Sequence, residues 1–235
     1  MNIHRIYAVF QKRFRPGRIR ALRAMLPQID DPNATILDLG GTADWWAEVK
    51  PAARKITIVN IDRQVEARIR AAGFEFACAD ACALPFADQQ FDLVLSNSVI
   101  EHVGDAKRQQ AFAAEMRRCG KALYMQTPNR WFVVEPHLIA LGLHWLPKRW
   151  QKASIRWLSL WGWIAKPTAA QVSEFVDSTR LLSEGEVRQM FPDCRLAHEH
   201  VLGFCQIHHC RAAGGRSSTY ATLIGRSLCQ VLVAW

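Results

Sequence analysis

The chain has 235 residues, half of them apolar and 22% charged, with no internal repeat or low-complexity stretch. That length suits one α/β domain with a full core and a few decorations, and the composition excludes disordered, collagen-like and disulfide-stapled chains. The net charge of +9 is uneven, because residues 1–29, 136–173 and 211–235 hold 15 of the 30 basic residues and no acid, which leaves 15 basic against 21 acidic residues elsewhere, a net of −6; an acidic body with basic appendages disfavours nucleic acid as a partner and leaves anionic surfaces open to the appendages.

Ile3, Ile6, Tyr7, Phe10 and Phe14 follow helical spacing, so the N-terminus is predicted to be an amphipathic helix that ends at Pro16 and Gly17. A second short helix is expected over Arg18 to Leu26, before the turn residues DDPN. These basic helices, residues 1–30, precede a body spanning 31–211. Five apolar runs follow, ATILDLG, KITIVNID, FEFACAD, FDLVLSNSV and KALYMQTPN, short and rich in Ile, Val, Leu and Phe, as parallel strands covered on both faces should be. Segments 43–50, 63–72 and 105–118 can supply crossover helices. A Trp-rich insertion occupies 131–166, then LLSEGEVRQMF reads as a helix opened by a Ser183–Glu186 capping box, and RLAHEHVLG with FCQIHHCR reads as an antiparallel pair. The predicted fold is α/β, a doubly wound, Rossmann-like, mostly parallel sheet with a C-terminal antiparallel hairpin, helical N-terminal and Trp-rich insertions, and an extension over 212–235 that packs on the body or on another chain.

Seven cysteines, an odd number without paired C-x-x-C spacing, point to free thiols in a reducing compartment. Cys78 and Cys82 are expected as small core fillers. The opening MNIHRIYAVF lacks the continuous apolar run of a secretory signal, and LIALGLHWL and WLSLWGWIA fall short of the roughly 20 residues of a spanning helix. A cytoplasmic location is expected. The oligomeric state is not written in the sequence.

Ligands of a doubly wound sheet sit where the strands end. Those ends carry Asp38 with Gly40 and Gly41, then Asp62, Asp80, Ser96 with Asn97, and Thr127 with Asn129. One such Asp alone would be read as a helix cap. Three together repel a pyrophosphate but suit a ligand with a cationic head, ribose hydroxyls and an adenine amine, which describes S-adenosylmethionine. The glycines let the backbone turn sharply and approach the ligand.

DLGGT, Asp62, the block ADACALPFADQQFDLVLSNSVIEHV and QTPNR resemble the class I S-adenosylmethionine-dependent methyltransferases that act on small molecules. The resemblance covers roughly residues 34–130. It implies that Asp38, Gly40 and Gly41 surround the methionine end of the cofactor, that Asp62 accepts the ribose hydroxyls, and that Asp80 with the Ala81 amide reads the adenine edge. Ser96 and Asn97 would lie beneath the methionine, and His102 near the methyl group. The family's loop has glycine where Thr42 and Asp44 stand here. Trp45 or Trp46 could cover the cofactor or pack in the core.

Methyl transfer is an in-line displacement at an activated carbon, so positioning and exclusion of water dominate. A base is needed for some acceptors; the catalytic candidates are His102 and His137, with Glu135 able to orient the latter. The absence of G-x-G-x-x-G disfavours a nicotinamide-dependent oxidoreductase. A degenerate cofactor-binding domain serving as a membrane-associated or assembly partner is the third alternative.

The insertion holds six of the nine tryptophans. Trp150, Trp157, Trp161 and Ile164 fall on one helical stripe, with Lys148, Arg149, Lys152 and Arg156 on its flanks. Lid, core packing and peripheral contact with an anionic membrane are all open, the last implying a lipid-like acceptor. His198, His200, Cys205, His208, His209 and Cys210 crowd the terminal hairpin. His198 and His200 share a face while His208 and His209 point apart, and no metal is expected there.

Overall fold

A computed structural model describes residue 19 and residues 22–53, 55–135, 138–201 and 204–212. The predicted first helix, His137 and the extension beyond 212 lie outside the described residues. Of the second helix, residues 22–25 are helical, and Leu22 and Leu26 are buried.

The chain alternates as predicted. Strand β1 (Thr35–Leu39) is followed by α1 (Ala43–Val49), β2 (Lys55–Asn60), α2 (Glu66–Ala71), β3 (Glu75–Cys78), β4 (Leu93–Asn97), α3 (Ala106–Cys119) and β5 (Leu123–Pro128). A small hairpin, β6 (Val134–Glu135) and β7 (Ala140–Leu141), opens the insertion, whose helices are α4 (Lys148–Leu158), α5 (Leu160–Ala165) and α6 (Ala169–Ser178). Helix α7 (Glu184–Met190) and strands β8 (Arg195–Val201) and β9 (Phe204–Ala212) complete the described chain.

The seven main strands form one sheet in the order β3-β2-β1-β4-β5-β9-β8. The first five are parallel, and β9 runs antiparallel to both β5 and β8. Period-2 alternation sorts the side chains. Leu37, Leu39, Val94 and Met125 meet Phe112 and Met116 of α3 and Val187 of α7 on one face. Ile36, Ile58, Leu95 and Tyr124 meet Leu26, Trp46 and Ile69 on the other. Both faces are therefore buried, which is why the strands read as nearly continuous apolar runs. Asp92 ties the start of β1 to β4, its Oδ2 accepting from Thr35 N at 2.9 Å and Thr35 Oγ1 at 2.8 Å. The Lys121 ammonium and these donors hold its carboxyl down at about 2.

The insertion has its own small core, Leu138, Leu143, Ile155, Val172 and Val176. Its expected single stripe is broken at Ser159, whose hydroxyl donates to Ile155 O at 2.6 Å and accepts from Gly162 N at 2.8 Å, ending α4 and capping α5. Trp161 turns inward onto Phe175, with ring centroids 5.6 Å apart, while Trp150, Trp157 and Trp163 remain exposed. Lys148 and Lys152 both approach Asp177 on α6, at 3.8 and 2.6 Å, with Lys148 exposed and Lys152 half-buried. The Ser183–Glu186 capping box of α7 forms as the sequence predicts.

Candidate active site

Because β3, β2 and β1 are neighbours, Asp80, Asp62 and the Asp38–Gly41 turn follow one another along a single rim of the sheet. The three acids are in different physical states. Asp38 is buried on β1, and its Oδ2 accepts from Trp46 Nε1 at 2.7 Å. Its Oδ1 has no hydrogen-bond partner among the described residues. Burial pushes this carboxyl up to about 7, against the lowering effect of the Trp46 N–H. Trp46 is thus core, and Trp45 stands against it edge-on at 4.6 Å.

Glycine is required here for two different close approaches. A Cβ on Gly41 would lie 1.6 Å from Asp38 Oδ2, and one on Gly40, where φ is +72°, would lie 2.7 Å from Val99 Cγ2. Gly40 N also donates to Val59 O at 2.8 Å, tying the turn to β2. The two residues that depart from the family's glycines have structural jobs: Thr42 caps α1 by accepting from Trp45 N, and Asp44 holds Arg68 through both carboxylate oxygens at 2.7 and 2.6 Å.

Asp62 stands exposed beyond β2, its Oδ1 accepting from Gln64 N at 2.8 Å. Asp80 is turned by Cys82 N, which donates to Oδ1 at 2.9 Å, and is gripped by Arg108 Nη2 at 3.0 Å from each oxygen. The Cys82 N–H and the Arg108 guanidinium hold its carboxyl below the usual carboxylate range. Three of the roughly four lone-pair positions of Asp80 are thereby taken, leaving one for a ligand N–H. Ala81 is half-buried beside it. Cys78, at the end of β3, is exposed and not the core filler expected, whereas half-buried Cys82 does pack against the core, with its Sγ donating to Arg108 O at 3.3 Å.

Ser96 is buried on the α3 face with its Oγ unpartnered among the described residues, and Asn97 is half-buried at the strand end. Ser98 then takes the left-handed conformation at φ +57° and donates to Gln126 O. His102 is exposed, its Nδ1 3.5 Å from Thr179 Oγ1. Sequence reading missed the polar layer beneath it. Glu101 is fully buried and accepts from Thr127 Oγ1 at 3.0 Å, and Gln109 bridges Ile100 O and Arg180 O at 2.9 and 2.8 Å. An acid inside the apolar run V-I-E-H-V was the available signal. Arg108, 28 positions from Asp80, gave none.

Residues 37–122 match the methyltransferase domain family. That match covers less than half of the chain. Part of this domain is 34% identical over 89 residues to the ubiquinone biosynthesis O-methyltransferase of Parvibaculum lavamentivorans, a match covering 36% of this chain and 34% of that protein. In three dimensions the chain resembles an S-adenosylmethionine-dependent methyltransferase from Mesorhizobium loti (TM-score 0.51, 16% identity, 82% of this chain and 95% of that one). It resembles the N-methyltransferase NodS of Bradyrhizobium japonicum with S-adenosyl-L-homocysteine bound about as closely (TM-score 0.51, 13% identity, 84% and 86%). A protein from Rhodobacter sphaeroides provisionally described as a Zn-dependent alcohol dehydrogenase scores 0.59 at 12% identity over 82% and 88%. At such identities these likenesses concern the shared sheet architecture alone.

The residues along this rim fit the cofactor that the matched family implies. They include an exposed carboxylate at Asp62, a remaining acceptor position on Asp80, bare backbone at Gly40 and Gly41, and an orphaned buried oxygen on Asp38. An unsatisfied buried acceptor of that kind costs about 1–3 kcal/mol until a donor meets it.

Proposed function

We propose that the protein transfers a methyl group from S-adenosylmethionine to a small, apolar or amphipathic acceptor by in-line displacement. The observation that carries this reading is the run of carboxylates at the ends of three adjacent strands, beside a turn in which glycine is sterically compulsory. When bound, the cofactor supplies a methyl group already activated on a sulfonium. Asp62 accepts the ribose hydroxyls, Asp80 and the Ala81 amide read the adenine edge, and Gly40, Gly41 and Asp38 receive the methionine end. Ser96 and Asn97 floor that end of the site. His102, oriented through Thr179, takes the acceptor's proton; His137 is the second candidate base. The layer of Glu101, Thr127 and Gln109 fixes the His102 turn from below, so that positioning rather than bond chemistry is the protein's main contribution.

Titration calorimetry with S-adenosylmethionine, S-adenosylhomocysteine and NAD tests the reading. The first two are expected to bind, and Asp62→Ala to weaken both by ~1.5–3 kcal/mol, roughly 10- to 150-fold, through lost hydrogen bonds. Binding of NAD alone would refute it in favour of a nicotinamide enzyme. Binding without turnover of any acceptor would instead favour the degenerate domain.

A lipid-like acceptor, such as a quinone precursor, is supported by the insertion. Trp131, Leu141, Trp150, Trp157, Leu158 and Trp163 are all exposed, although the same segment has its own packed core. Arg130 and Arg149 lie over the rings of Trp131 and Trp150 at 5.4 and 5.8 Å, placing positive charge among the aromatics as contact with anionic headgroups requires. No helix of the described residues is long and apolar enough to cross a membrane. The matched relative's name adds an oxygen acceptor in quinone biosynthesis to the same reading. Flotation with phosphatidylglycerol vesicles decides it: recovery with the vesicles, abolished in Trp157→Ser/Trp163→Ser, is expected, and recovery only in the soluble fraction removes the membrane contact.

A further inference from the structure

The edge hairpin brings together side chains that the methyl-transfer site does not use. In sequence His198 seemed to pair with His200 along one strand. In the structure a register irregularity falls between Glu199 and His200, and the partner of His198 is His208, directly opposite on β9. Their Nδ1 atoms are 3.2 Å apart, with the rings nearly perpendicular at 77°. Glu184, in the first turn of α7, faces the same pair, with its Oε1 3.8 Å from His198 Nε2. One donor atom from each of the three residues lies within 4.8 Å of the other two.

We propose that His198, His208 and Glu184 form a binding site for a divalent cation of the zinc class. Two nitrogens on a tetrahedral zinc, each about 2.0–2.1 Å from the metal, stand about 3.3–3.4 Å apart, close to the spacing that the two imidazoles already hold. The imidazoles are held by paired strands, and His208 is fully buried, so this edge of the coordination polyhedron is preset by backbone register rather than by flexible side chains. Glu184 now stands nearest Nε2 of His198, so a cation held between the two Nδ1 atoms would draw the carboxylate around to that side of the ring. Its Oε1 is taken by Arg188 Nε and Nη2 at 2.9 and 2.6 Å, while Oε2 carries no hydrogen bond among the described residues and is open to the cation. His198 is about a quarter exposed and Glu184 more, which gives an entry path from solvent. Two imidazoles and one carboxylate select zinc, cobalt or nickel over magnesium and calcium, which prefer all-oxygen shells. The bound cation would staple α7 to the terminal hairpin and retain an open coordination position.

Full-length protein freed of metal by chelation is titrated with ZnCl2 by calorimetry, and with CoCl2 while visible absorption is followed. One zinc per chain and the intense d–d bands of tetrahedral cobalt are expected, with no binding of MgCl2. His198→Asn and Glu184→Gln should each weaken zinc at least tenfold and remove the zinc-induced rise in Tm. Because His208 is buried and its replacement endangers folding, the two accessible residues carry the decision. Zinc affinity unchanged in both variants, or equal affinity for magnesium, overturns the proposal.

Discussion

Asp38 couples acidity to stability in a way that can be measured. Its carboxyl titrates near 7 in the folded chain against an ordinary value of 3.8, because burial penalises the charge. Between those two values the folded chain holds a proton that the unfolded chain has released. The stability from that proton is complete below the unfolded value and is lost as pH rises through the folded one. From pH 5 to pH 8.5 the loss is roughly 3 kcal/mol, two decades of proton affinity at about 1.4 kcal/mol each. Asp38→Asn keeps the shape and an acceptor for Trp46 Nε1 but cannot titrate. Urea unfolding of both proteins at the two pH values should show the variant gaining about 3 kcal/mol on the wild type as pH rises. A difference that does not move with pH would refute the buried-proton argument. A cationic ligand against Asp38 favours its ionised form, so S-adenosylmethionine binding should release a proton and tighten up to about fivefold from pH 6 to pH 7.

Gly41→Ala places a methyl inside the Asp38 carboxylate and should abolish cofactor binding and lower Tm, checked by calorimetry and thermal melts; retention of both would show that the turn can open. Arg108→Ala removes an exposed ion pair and should leave stability nearly unchanged, yet bind S-adenosylmethionine several-fold more tightly by freeing Asp80, with weaker binding counting against the competition. Asp92→Ala strands the Thr35 donors and should cost about 1–3 kcal/mol in urea unfolding near neutrality. Since Lys121 and Thr35 hold that carboxyl down at about 2, the contribution is present above 3.8 and should fade as pH drops towards 2.

Most of the sheet was legible because both its faces are covered. Runs such as KITIVNID and FDLVLSNSV could be nothing but buried strands, and their last residues had to meet at one rim. What failed was whatever depended on partners distant in sequence. Asp38, Asp62 and Asp80 looked alike, yet one is buried beneath Trp46, one is exposed and one is gripped by Arg108. The tryptophan stripe was drawn on a continuous helix, and a single serine at 159 divided it. His198 was read with a neighbour two positions on, whereas the imidazole it meets in the structure, His208, comes from the opposite strand ten positions away.

The order of strands has a consequence for biosynthesis. β5 lies inside the finished sheet, but its outer neighbour β9 is the last described strand of the chain. While the ribosome makes the tryptophan-rich segment and α7, the backbone of β5 stays open along one side, next to newly emerged apolar helices. Fragments cut short before Phe204 should therefore stick to one another through that open border, and the chain's resistance to clumping is acquired only when β9 arrives to cover it.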